Sequence, residues 1–536
     1  MSTPATTAPP WRAPLGGTVA LLALYTMRFG YGYGAGDHDE LIPSALALLS
    51  GGALFERDWL VQTVLDGVNV RTAFVWLLAV GGRVMPLAAW TGILHVAAWL
   101  ATAAGVYALG WTLTRSRLGA AVGAALALLV AVAFPIGANS LVTPLLTPES
   151  VAWALLVPAL GWWLRGHPLA AGAAIGVAAW FHLLAAGLVG LWLGLATLLR
   201  RSAPGRLRTA LLLGATALGA AAPVLLPVAL DQLAGGAAPG GPSPFEVHAV
   251  FRNPWHHLFF SFPATTHAKF WTWLALGVGA GVWLARHGRL RHAGDLARLG
   301  AVAAGAAVVG VLFVEVWPVE AVAKLQVFKL AVPVTLLASV ALGGALAAAV
   351  PVGWRSRGRA AWSRHGTRAS VLVVVLVGAL SAWGVAGGGP VAPRLQPLTH
   401  PATPAGQVEA WARAHTPRGA LFAVPPSQST FRSYARRATV ITWNGFVFGD
   451  AEMQAWRRRL HDVAPIAPPA RGSDPRAALD RRYAARTPAE WAALCAAYGV
   501  DYAVVPDSVR LPYPTVFDVP GADGQRVVRL TACRPS

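Results

Sequence analysis

The sequence predicts a mainly α protein: a polytopic helical membrane domain of about 11 spans, followed by a C-terminal extracytoplasmic α/β domain. Three observations carry this. Of 536 residues, 55% are hydrophobic and 12% charged, about half the charged share of an average soluble protein. The apolar residues come in blocks near the roughly 20 residues that a membrane helix needs. Finally, 43 Lys and Arg stand against 23 Asp and Glu, and the arginines gather in short loops between apolar blocks, as the positive-inside rule requires. The first two observations exclude a soluble enzyme. The third explains the formal charge of +20 without nucleic acid as a partner. Two cysteines exclude a disulfide framework and a cysteine-based zinc site.

Candidate spans cover residues 14–31, 87–113, 118–137, 149–165, 168–181, 183–199, 209–230, 269–285, 299–316, 327–350 and 369–389. The first is an uncleaved span rather than a signal peptide, because Met27, Arg28, Phe29, Gly30 and Tyr31 stand where a small-residue cleavage site should be. The segment 74–85 is apolar but short, a half-inserted piece or a lead-in to the second span. The pair 168–181 and 183–199 is short and broken at Phe181 and His182. Broken helices are tolerated only where the freed backbone is buried or lines a wet cavity.

The charges test this arrangement. With the N-terminus in the cytoplasm, the inside loops carry Arg115, Arg117, Arg165, Arg200, Arg206, Arg286, Arg298 and the arginines of 355–368. The acids before residue 390, among them Asp37, Asp39, Glu40, Asp58, Glu149, Glu315 and Glu320, fall on the other side, and only Asp295 breaks the pattern. An odd number of crossings follows. The reading is an integral protein of a bacterial plasma membrane, with a membrane domain over 1–389 that includes an acidic first outward loop at 32–73, and an extracytoplasmic domain over 390–536.

After Gly387, Gly388, Gly389 and Pro390 the apolar runs shorten. Residues 404–415 read as a helix, 420–424 and 438–443 as strands, and Asp450 as the cap of a helix to His461. Thr487, Pro488 and Glu490 have the spacing of a capping box that opens a helix to Tyr498. Residues 501–505 and 527–530 read as strands, and 464–474 as a Pro/Ala-rich loop. Alternating helices and short strands make an α/β domain. Cys495 and Cys533 both lie here, either paired in an oxidising compartment or as two separate small residues.

The chemistry centres on the first outward loop. Asp37, Asp39 and Glu40 place three carboxylates within four residues just beyond a membrane helix, where charge is costly near lipid. Such a cluster holds a proton-accepting carboxylate or a divalent cation, Mg or Mn. A solvated acidic loop that obeys the charge rule is the competing reading. Cations face it from other outward loops: Arg252 with His256 and His257, and Lys324 and Lys329 flanking Gln326. The lysines lie on the side the positive-inside rule disfavours, so either a phosphate or pairing with Glu315 or Glu320 must account for them. His182 either donates to a ligand or caps the broken helix, and His95 reads as a core residue. No phosphate-binding glycine loop, HExxH or GxSxG pattern occurs, which disfavours ATP-driven transport and membrane proteolysis.

A short first span, an acidic outward loop, broken helices and an outward α/β domain together resemble the GT-C superfamily of polyprenyl-phosphate-sugar-dependent glycosyltransferases. Residues 31–40, 55–62, 252–257 and 326–329 look like a family of bacterial membrane proteins related to it. The resemblance implies an inverting glycosyltransferase in which Asp37 or Asp39 takes the acceptor's proton and Glu40, or a metal held with it, orients the acceptor. Lys324, Lys329 or Arg252 would neutralise the departing lipid phosphate, and the acceptor would be an envelope glycan, lipid or protein. A non-catalytic protein that binds or flips a lipid-linked glycan is the alternative. The oligosaccharyltransferase branch carries a WWDYG motif, whose nearest counterpart here is Thr442, Trp443, Asn444, Gly445 and Phe446. That departure argues against peptide N-glycosylation.

Overall fold

The computed structural model describes residues 15–131, 136–137, 140–200, 204–234, 236, 240–351, 403–469, 473–521 and 524–530. The expected span 369–389, the arginines of 355–368, the boundary after Gly389 and Cys533 lie outside these residues. The chain divides into two compact units, each built from separate stretches. The first comprises Met1–Tyr31, Ile93–Pro223 and Trp255–Leu395, and the second Gly32–Gly92, Val224–Pro254 and Gln396–Ser536.

Among the described residues, four helices are long and apolar enough to cross a membrane: Leu87–Thr114, Arg206–Leu233, Ala293–Val316 and Glu320–Ala349. Their length and composition make this an integral membrane protein. Shorter apolar helices include Gly17–Phe29, Thr72–Gly82, Arg117–Val130, Pro168–Ala179 and Leu183–Leu198. The break expected at Phe181 and His182 is present, and His182 caps the second helix by accepting from the Ala185 N–H at 3.1 Å.

Within the first unit, small residues let helices approach closely. A Cβ on Gly343 would fall 2.3 Å from the Gly123 nitrogen, and one on Gly123 3.0 Å from the Val340 Cα. Asp295, the acid out of place in the charge pattern, accepts from Arg200 at 2.9 Å and Arg298 at 2.8 Å. It therefore sits among the arginines it seemed to contradict.

The second unit carries a five-stranded sheet of order β2-β1-β3-β5-β4, with β1 Leu421–Ala423, β2 Ala438–Thr439, β3 Tyr502–Pro506, β4 Thr515–Val519 and β5 Gln525–Arg529. Strand β1 runs parallel to β2 and β3, while β5 pairs antiparallel with β3 and β4. The helices Pro404–His415 and Pro488–Tyr498 form as the sequence indicates, the latter with its capping box and a left-handed Gly499 at its end. The helix at 450 starts on Asp450 itself, with Gly449 as cap, and runs to Val463. Strand β2 stops at Thr439 rather than 443, and the freed residues turn into the site described below. One apolar cluster packs Trp456, Leu460, Tyr483 and Trp491 with Val247 and Phe251 of the 224–254 stretch. A second packs Val408, Phe422, Phe431 and Val527.

Candidate functional site: an acid–arginine cluster

Asp37 precedes the helix His38–Leu49, and Asp39 and Glu40 fill its first turn, where the positive end of the helix favours carboxylates. The three acids then diverge. Asp37 is exposed and makes no capping hydrogen bond, whereas Asp39 and Glu40 are 0% and 1% exposed.

Asp39 is held from several directions. Its Oδ1 accepts from Arg432 NH1 at 3.1 Å, and its Oδ2 from the Thr442 hydroxyl and from Gly445 N–H at 3.2 Å. Arg432, itself fully buried, donates through Nε to Asp58 at 2.6 Å and through NH1 to Thr442 at 2.6 Å. Asp58 also accepts from Thr439 N–H at 2.8 Å, and caps the helix Trp59–Leu65 through Val61 N–H at 3.2 Å. Burial raises the Asp39 pKa, opposed by Arg432 and Thr442. Burial also works against the Arg432 charge, but Asp58 and Asp39 outweigh it, so its pKa is raised.

Glu40 faces two arginines. Arg71 NH2 lies 2.5 Å from Oε1, and Phe446 N–H donates to Oε2 at 2.7 Å. Burial lifts its pKa to about 7, against the pull of Arg71, the Phe446 amide and Arg252, and with Asp37 adding to the rise. Arg252 ends the π-helical turn Glu246–Arg252, the kind of local bulge that often marks a functional position. It donates to the Asn444 carbonyl and to Asn253 Oδ1, each at 3.0 Å, and lies 5.0 Å over the Trp443 ring and 5.6 Å over Phe446. Burial lowers its pKa to about 10 while Asp37 and Glu40 oppose the fall, so it stays charged at neutral pH. Asp37, Glu40, Arg71 and Arg252 thus form one electrostatic group.

Folded Glu40 keeps its proton up to about 7, while an ordinary glutamate releases it near 4.5. Between those values the folded state binds more protons, so stability is expected to fall as pH rises through the window and to level off above it. Thermal midpoints of wild type and Glu40→Gln from pH 4.5 to 8 test this. The variant should lack this part of the slope, and an unchanged slope would refute the assignment.

The other expected residues belong to the first unit. Lys324 pairs with Glu320 at 2.9 Å, an exposed contact one helical turn apart. Lys329, 4% exposed, lies 3.9 Å from Glu149 Oε2, and His182 Nε2 lies 3.9 Å from the same atom. Glu149 also accepts from Trp153 Nε1 at 3.1 Å. Gln326 is buried with a left-handed φ of 49° and links the helix Glu320–Leu325 to the 3₁₀ turn Val327–Leu330. His257 donates through Nδ1 to the Ala323 carbonyl at 2.9 Å. Burial, with Lys329 adding to it, drops its pKa to about 4, so it is neutral at pH 7. His256 is half-buried, and His95 packs its ring 5.0 Å from that of Tyr31. Sequence reasoning did not single out Arg71, Arg432 or Glu149 for these roles. Arg432 stands between Phe431 and Ser433, close to Arg436 and Arg437, so the sequence alone does not set it apart from its neighbours.

Two of the three acids are engaged by internal partners. Asp39 gives both oxygens to Arg432, Thr442 and Gly445, and Glu40 gives its own to Arg71 and Phe446. Among the described residues no three His, Cys, Asp or Glu side chains group as metal ligands.

Residues 404–463 match the model of a domain of unknown function, DUF6798. No curated protein matches the chain. Among solved structures, the chain is similar to ArnT from Cupriavidus metallidurans bound to undecaprenyl phosphate. That match has 17% identity and a TM-score of 0.49, over 99% of this chain and 100% of the other. It is also similar to the Archaeoglobus fulgidus oligosaccharyltransferase tethered to an acceptor peptide, at 12% identity and a TM-score of 0.45, over 92% and 69% of the two chains. Arabinofuranosyltransferase AftD from Mycobacteria matches at 14% identity and a TM-score of 0.47, over 98% of this chain and 40% of that one.

Proposed function

We propose that this chain is a membrane glycosyltransferase that moves a sugar from a polyprenyl-phosphate donor to an envelope glycan, lipid or protein acceptor at the outer face of the membrane. The observation that carries the reading is one exposed carboxylate, Asp37, in the same electrostatic group as buried Glu40 and its two arginines, Arg71 and Arg252. In this reading Asp37 accepts the proton of the acceptor hydroxyl as that oxygen bonds to the anomeric carbon. The bond from that carbon to the phosphate oxygen breaks in the same step, and the lipid phosphate leaves with the electron pair. Arg252 and Arg71 stabilise the negative charge that grows on it. A single displacement inverts the anomeric centre. No step passes through a metal ion. The charge pattern supports a cytoplasmic N-terminus and an outward sheet-bearing region.

One observation favours the non-catalytic alternative. Asp39 and Glu40 are both closed by internal partners, as in a binding protein whose acids serve structure. Lipids that co-purify with the detergent-solubilised protein address the ligand class directly. Mass spectrometry is expected to find a polyprenyl-phosphate sugar on wild type and at least tenfold less on Arg252→Ala, a change of about 1.4 kcal/mol or more. Bulk phospholipid alone on both proteins would overturn the proposal.

A further inference from the structure

The turn 442–446 is built around the charged residues of the site. The Thr442 hydroxyl donates to Asp39. The Trp443 ring lies under Arg252 at 5.0 Å, and the Asn444 carbonyl accepts from the same arginine at 3.0 Å. Gly445 N–H donates to Asp39 at 3.2 Å, and Phe446 N–H donates to Glu40 at 2.7 Å. Each of the five residues therefore serves Asp39, Glu40 or Arg252, mostly through main-chain atoms that a substitution does not remove. The turn is pinned in its own right: Trp443 N–H donates to the Pro426 carbonyl at 2.7 Å. A Cβ on Gly445 would stand 2.1 Å from Leu60 Cδ2, so no larger residue fits there unless Leu60 moves.

We infer that the turn 442–446 is a positioning element that sets Glu40 and Arg252 in register, with Asp39 acting through it as a positioning residue that does not touch substrate. The role rests on the proposed reading of the site as a lipid-phosphate transferase site. Asp39 fastens the middle of the turn, and the residues on either side of Gly445 then present one acceptor to Arg252 and one donor to Glu40. A slip of the turn moves both partners at once. Loss of one hydroxyl at Thr442 should therefore weaken anion binding although Thr442 itself lies buried.

The test uses full-length protein in detergent and undecaprenyl phosphate as the probe, titrated by native mass spectrometry. Thr442→Val should bind at least tenfold more weakly than wild type, and Thr442→Ser, which restores the hydroxyl, should bind within about twofold. Tyr483→Phe is the control for destabilisation, because it removes a buried hydrogen bond to the Val504 carbonyl without touching the turn. It should bind as wild type does. Wild-type affinity in a folded Thr442→Val, or equal losses in Thr442→Val and Tyr483→Phe, would overturn the inference. If wild type itself does not bind the probe, the proposed function falls, and hydrogen exchange then decides the positioning role. Exchange of the amides of Gly445 and Phe446 should accelerate at least tenfold in Asp39→Ala, and unchanged exchange would refute that role.

Discussion

Replacing Arg432 with methionine is expected to cost the second unit about 3–5 kcal/mol, enough to unfold it near physiological temperature. Arg432 lies between Asp39 and Asp58, and all three side chains are fully buried. Removing the guanidinium leaves two carboxylates in a dry interior, facing each other's charge and short of donors. Lysine should not rescue the loss, because one ammonium does not reproduce a planar fork that spans two acids and Thr442. Arg526→Met is the comparison: its pair with Asp518 is 11% and 40% exposed, so its loss should cost about 0–1 kcal/mol. Thermal unfolding of both variants separates the outcomes. A midpoint for Arg432→Met within a degree or two of Arg526→Met would show that the buried triad does not hold the unit together.

Asp37→Asn should lower sugar transfer by about 10²–10⁴-fold, the usual contribution of a positioned general base, while leaving stability and lipid retention unchanged. Its side chain is exposed and caps nothing, so the amide leaves the fold intact. Asp39→Asn should behave in the opposite way, with the loss showing first in the unfolding midpoint, because one carboxylate oxygen that now accepts becomes a donor among donors. Transfer of a labelled sugar, measured beside the thermal midpoint, distinguishes the two. Full turnover in Asp37→Asn would remove Asp37 as the catalytic base, whereas no transfer by wild type would favour the non-catalytic alternative.

The sequence is most legible where it is periodic or locally capped. Apolar blocks gave the helices, and Thr487 with Glu490 gave the start of one helix to the residue. Strand β4 escaped notice: three of its five positions, Thr515, Val516 and Asp518, are exposed, so it lacks the apolar run that marks β3. The acids of the site were legible because charge beside a membrane helix is expensive. Their division of labour was not. Asp39 finds Arg432 across 393 positions, and Lys329 finds Glu149 from a helix far back in the chain. Periodicity tells which face of a helix is buried, not which distant residue will meet it. Lys324 with Glu320, one turn apart, is a pair that sequence alone could name.

The discontinuity of the second unit also has a bearing on biogenesis. Asp58 and its buried partner Arg432 are separated by 374 positions. At about 5–20 residues per second, a ribosome needs roughly 20–75 s to bridge that interval. Throughout that time the two acids wait in solvent for an arginine that does not yet exist, while the intervening helices enter the bilayer. A chain interrupted before residue 432 would be inserted in the membrane yet lack the counter-charge that lets the segment around Asp39 and Asp58 pack, a natural mark for quality-control proteases.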